Sequence, residues 1–212
     1  MAKTWATWLP DLLPQLPECP NIVAEHEVRR AAQVFFEKTL AWSVTLDAES
    51  VGAGEYEVEL AANTGQEIVR VNQAWYDGRL LAAQSSDTLS DQFAENWQIH
   101  IGEPSSFVQE TPGVVRLYPI PSSDSATGLV ARVAVKPGES SSGIPDELAI
   151  KYRDAITAGA KGRLMLYVGK PWSNPDFGTK HESEFLAVIS QANLAAATSS
   201  GRSRIPSKPR WC

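Results

Sequence analysis

The sequence predicts an α+β protein: a helical bundle built from both chain ends, an inserted antiparallel β domain, and an extended C-terminal tail. Two observations carry this. Apolar residues recur at three- and four-residue steps near the N-terminus and again beyond residue 144, the period of a helix with one buried face. Between these regions, from Ser43 to about Lys136, short stretches rich in Val, Ile and Tyr are punctuated by Gly, Pro, Ser and Asp. The 212 residues are 43% hydrophobic and 21% charged, enough for one good core and unlike a disordered chain. The expected division is a discontinuous helical domain over 1–42 and 142–200, a β domain over 43–141, and a tail over 201–212.

The opening segment "WATWLPDLLPQLPECP" can form only short helical turns, because each proline removes an amide donor and restricts the residue before it. In "NIVAEHEVRRAAQVFFEKTLAW", Val28, Ala31, Ala32, Phe35, Phe36 and Leu40 share one helical stripe, with Glu25, Arg29, Arg30 and Lys38 on the other side. The strand region contains Asp77-Gly78, a strong two-residue hairpin signal because a primed turn needs positive φ at its centre. "GLVARVAV" alternates, with Leu129, Ala131, Val133 and Val135 on the more apolar face, and "SSDTLSDQFAENW" inserts a helical turn. After "KPGESSSG", which reads as a flexible loop, Leu148, Tyr152, Ile156, Ala160 and Leu164 line a second long helix. Its "AITAGAKG" stretch is small enough to let another element approach closely. "GKPWSNP" breaks the chain, and a last helix runs from about Thr179 to Thr198 with Phe185, Ile189, Ala192 and Ala196 on one face. Trp42, Trp75 and Trp172 fall at element ends, where large rings commonly seal a lobe junction.

Chemistry-bearing patterns are sparse. His26, His100 and His181 are scattered, and no nucleophile elbow, phosphate loop or dinucleotide fingerprint occurs. His181, Glu182 and Glu184 in "KHESE" sit at a helix start, where acidic side chains favour the dipole without binding metal. Cys19 and Cys212 are too few for a disulfide framework or zinc knuckle and point to a reducing cytosol. Pro10, Asp11 and Pro14 interrupt any signal-peptide core, and no apolar run approaches membrane-spanning length. The expectation is a structural protein, not an enzyme, with no cofactor, no metal and no membrane partner.

The net charge is −6, and it is divided unevenly. The tail "SGRSRIPSKPRWC" carries Arg202, Arg204, Lys208 and Arg210 without one acidic side chain, so the preceding 200 residues hold −10. An acidic body with a basic tail suits two different partners. Ile205 and Trp211 are apolar anchors that need burial by something else.

Three motifs in register, namely the proline-rich lead-in, the Arg-Ala-Ala helix ending in "TLAW", and "AITAGAKGRLMLYVGKPW", resemble the head–tail adaptor (connector, or neck) proteins of tailed bacteriophages. The resemblance covers nearly the whole chain. One departure is Phe36, at a position associated with cysteine in that helix. The resemblance implies a virion structural protein: a ring of twelve copies that joins the portal protein to the tail or nozzle/tube protein and lines the DNA channel. It also implies assembly in the host cytoplasm. It assigns the tail to the portal, with Arg202, Arg204, Lys208 and Arg210 facing acidic side chains and Ile205 and Trp211 filling apolar pockets. Pro206 and Pro209 would keep that segment extended. A tail-terminator or tail-tube component is an alternative, as is a carbohydrate-binding β module using Trp75 and Tyr76.

Overall fold

The computed structural model describes residues 2–199. The chain opens with β1 (Ala2–Thr4), a 3-10 turn at Trp5–Trp8, α1 (Leu9–Leu12), a second 3-10 turn at Leu13–Gln15, and α2 (Asn21–Thr39). Then follow β2 (Ser43–Thr45), β3 (Glu49–Val51), β4 (Glu57–Glu59), β5 (Gln66–Tyr76), β6 (Arg79–Leu80), β7 (Ala82–Gln84), α3 (Ser86–Phe93) and a 3-10 stretch at Ala94–Ile99. The remaining strands are β8 (Ile101–Gly102), β9 (Ser106–Val108), β10 (Val114–Tyr118), β11 (Ile120–Pro121), β12 (Ser125–Pro137) and β13 (Gly143–Pro145). Helices α4 (Asp146–Met165) and α5 (Pro175–Ser199) come last.

The fold is α+β as the periodicity predicts: α2, α4 and α5 pack together from opposite ends of the sequence, and strands β2 to β13 lie between α2 and α4 in the chain. The lead-in forms three short helical pieces because Pro10 and Pro14 are tolerated only in a first turn. They bury Trp5, Trp8, Leu12 and Leu16, and pack on α2. Helix α2 buries Val28, Ala31, Ala32, Phe35 and Phe36 as expected, but Leu40 is not on its stripe. Leu40 is the left-handed cap at φ 53°, and its N–H donates to the Phe36 carbonyl at 3.0 Å, which ends the helix without a glycine. Phe36, the departure from the resembled pattern, fills the core edge-on to Trp42 with ring centroids 5.5 Å apart.

The long β5–β12 antiparallel pair is the spine of a five-stranded sheet, with β2 and β3 also on β12 and β6 on β5. Asp77 and Gly78, at φ 46° and 79°, make the β5–β6 turn. A second sheet has the order β4-β10-β9-β7. The β region is not purely antiparallel: β7–β9 and β8–β11 are parallel. Parallel neighbours need a crossover of a dozen or more residues, and for β7–β9 the α3 segment supplies it. Both sheets and the helices contribute to one continuous buried cluster. A separate small cluster, Leu89, Trp97, Val108 and Tyr118, lies under α3.

Two features were not legible in the periodicity. Strand β1 pairs with β13, three residues against three, with Thr4 opposite Gly143. The "ESSSG" loop is pinned, not free: Ser141 is buried, and its carbonyl accepts the Trp5 indole N–H at 2.7 Å. The small-residue reading of α4 holds. A Cβ at Gly159 would lie 2.9 Å from the Phe185 ring, and one at Gly162 would lie 3.0 Å from the Glu182 nitrogen. Helix α5 starts at Pro175, before the expected Thr179, because Asn174 caps it: its Oδ1 accepts the Phe177 N–H at 3.4 Å.

Candidate functional site

The residues assigned to portal docking, Arg202, Arg204, Ile205, Pro206, Lys208, Pro209, Arg210 and Trp211, lie outside the described residues. The structure does describe the helical unit that precedes them in the chain. Phe185 and Ile189 of α5 are buried against α4 and α2, so the last helix is clamped at its N-terminal half. Phe35 of α2 sits at the centre of this unit, 4.7 Å from the Tyr152 ring and 6.2 Å from the Phe185 ring. Helix α4 departs from helical geometry at Tyr152, with φ −116° and ψ 16°. The lead-in is fastened to α4 by Arg153, which donates to Asp11 Oδ2 at 2.6 Å and to the Thr7 carbonyl at 2.7 Å and lies over the Trp8 ring.

A charged cluster that sequence reading missed lies where α2 meets the end of α4. Glu27 is 1% exposed. Its Oε1 accepts the Tyr167 hydroxyl at 2.7 Å and Arg30 Nη1 at 3.3 Å, and Arg163 Nη1 stands 3.9 Å from Oε2. Among the described residues Oε2 has no hydrogen-bond partner. The hydrogen bond to Glu27, with burial and the carboxylate's charge, raises the Tyr167 pKa above its ordinary value. The signal for Glu27 is present in the sequence: it is an acidic residue at helical spacing from Ala24 and Ala31, inside an apolar stripe. Beside it an open groove of about 340 Å³ is lined by Arg30, Arg163, Gln33, Glu37, Glu67 and Lys136. Lys136 donates to Glu37 at 2.8 Å, and Gln33 donates to the Pro137 carbonyl at 3.1 Å, so α2 is tied to the end of β12. With Glu139 also on its wall, three cations (Arg30, Lys136, Arg163) face three anions (Glu37, Glu67, Glu139), which makes this groove a latch between helix and sheet.

The surface around Tyr118, at the end of β10 and beside the β8–β11 pair, has a different character. Phe93, Ile99 and Ile101 are each at least half exposed. Phe93 and His100 flank the buried Tyr118 ring at 5.0 and 6.0 Å, and Ile101 pairs with Ile120. These side chains gather around one strand end, beside the small cluster under α3.

The other sequence candidates do not converge. His26 contacts Arg29 at 3.2 Å, His181 contacts Glu184 at 3.1 Å, and His100 is on the sheet end, so the three histidines lie on separate elements. Among the described residues no three of His, Cys, Asp and Glu gather as a metal-ligand set, so "KHESE" does not form one. No described helix is long and apolar enough to cross a membrane. Trp75 and Tyr76 are adjacent on β5 and therefore point to opposite faces; Tyr76 is buried in the core, and the two do not share a sugar-stacking surface. Of the three junction tryptophans, Trp42 is buried between α2 and the sheet, Trp172 seals the α4–α5 turn, and Trp75 is half-buried within its strand. Compared with known proteins, the sequence matches no family model and no curated protein.

Proposed function

We propose that this chain is a virion structural protein, a head-to-tail adaptor that assembles as a ring beneath a bacteriophage portal and connects it to the tail. The observation that carries the reading is that the three resembling motifs, distant in sequence, pack into one unit. The proline-rich lead-in lies on α2, α2 packs on α4, and the Lys-Pro-Trp turn after α4 buries Trp172. An α+β architecture with helices from both chain ends is also what the resemblance implies.

The adaptor's role is mechanical. Its basic tail, residues 202–211, docks into grooves between portal subunits, with charge guiding approach and Ile205 and Trp211 holding the contact. Repetition of that contact around a ring of twelve supplies avidity that one short segment lacks. The acidic body faces DNA that must slide past and not be held. The opposite face of the ring receives the tail or nozzle protein. Negative-stain imaging of the purified chain with and without portal rings of the same virus tests this. Added density as a ring on one face of the portal is the expected result; bare portals at saturating protein would overturn it.

A further inference from the structure

From residue 80 to residue 115 there is no Lys or Arg, while Asp87, Asp91, Glu95, Glu103 and Glu110 fall within that span. The basic residues that bracket the span are already engaged. Arg79 pairs with Glu103 at 2.5 Å, and Arg116 lies over the rings of Tyr56 and Trp97 at 4.8 and 5.0 Å. Ser86 donates to Glu110 Oε1 at 2.6 Å, and Asp87 and Asp91 are exposed on α3. The same region exposes Phe93, Ile99 and Ile101 around Tyr118 and Ile120. Apolar side chains of this size, beside carboxylates that have no ion-pair partner among the described residues, match a segment that is both basic and apolar. This chain contains one: residues 201–212, with four cations, Ile205 and Trp211, and no acidic residue.

We infer that the α3 end of the β region is a docking surface for the chain's own C-terminal tail, which occupies it until the portal displaces it. Twelve residues in extended conformation reach about 40 Å, comparable to the diameter of a body of this size. The tail can therefore meet this surface on its own or an adjoining copy. Trp211 lies at the far end of that reach, whereas Ile205, six residues beyond Ser199, spans only about 20 Å. Docking would therefore bury Trp211 in the unassembled protein, where it otherwise invites aggregation, and would couple tail release to portal encounter. The release step rests on the adaptor reading; the docking itself does not.

The test uses the full chain with a benzophenone maleimide on Cys212, since Cys19 is buried. On irradiation, cross-linked peptides should map to residues 86–103. Mixing heavy- and light-isotope protein reads which copy donates the tail, and either answer supports the docking. Phe93→Ser with Ile99→Ser should lower the yield about fivefold, the equivalent of roughly 1 kcal/mol. Because both side chains are exposed the fold should survive, and Arg202→Gln with Arg204→Gln and Lys208→Gln offers a second variant that leaves the body untouched. Raising salt from about 0.05 to 0.5 M should weaken the cross-link as well. Cross-links scattered over the body, or insensitive to both variants, would overturn the proposal. Portal rings should compete the cross-link away. Tail-dependent portal binding without the cross-link would sink the docking alone. A cross-link with no portal binding would leave the docking standing and sink the adaptor reading.

Discussion

Phe35 shows how one side chain couples the two ends of the chain. It is fully buried on α2 and touches Tyr152 of α4 and Phe185 of α5. Phe35→Ala removes a large ring from between three helices that can only partly collapse, so it should cost about 3–5 kcal/mol in a denaturant melt. Glu27 presents the opposite problem, a buried carboxylate that depends on its partners. Tyr167→Phe removes a hydrogen bond to a charged group and should cost about 1.5–3 kcal/mol. The same contact has a pH signature. The phenol's folded pKa is raised above 10.0, so its stabilising contribution is complete below that value and is lost as pH rises through the folded pKa. Melts of the parent between pH 9 and 11 should fall more steeply than melts of the Phe variant. Equal slopes would remove Tyr167 from the account.

Among the elements, the α4–α5 pair depends on the absence of side chains. Ala160 is fully buried between Gly159 and Gly162, both of which sit against α5. Ala160→Leu should destabilise by about 1–3 kcal/mol through overpacking, and tolerance would mean the helices are less tightly apposed than described. The β1–β13 pair makes a sharper demand. A Cβ at Gly143 would collide with the Lys3 backbone, so Gly143→Ala should open this pair, read as faster hydrogen exchange at Lys3 and Ile144. Periodicity made the long helices legible, because each repeats its apolar step over several turns. It made the Asp77-Gly78 hairpin legible through turn chemistry. It could not reveal β1 and β13, which are three residues each and contain no alternating apolar pattern. Nor could it reveal the parallel β7–β9 pairing, which depends on where α3 delivers the chain. Glu27 hid because α2 was read by its apolar members, and the exposed Phe93 and Ile101 because nothing local in a sequence separates a surface isoleucine from a core one.

At the scale of the molecule, charge and assembly are linked. A body of −10 repels its copies, and each lateral contact in a templated ring is modest. The purified chain should therefore sediment as a monomer or loose oligomer at micromolar concentration, and a stable closed ring without portal would contradict that. The central claim, that the tail fastens this chain to a portal, is tested most directly by co-sedimentation with portal rings, comparing the full chain with one lacking residues 202–212. The truncated chain should keep its melting temperature and lose portal attachment. Trp211→Ala should accelerate dissociation, with a loss of about 2 kcal/mol or more. Truncated protein that binds portal with unchanged affinity would contradict the claim.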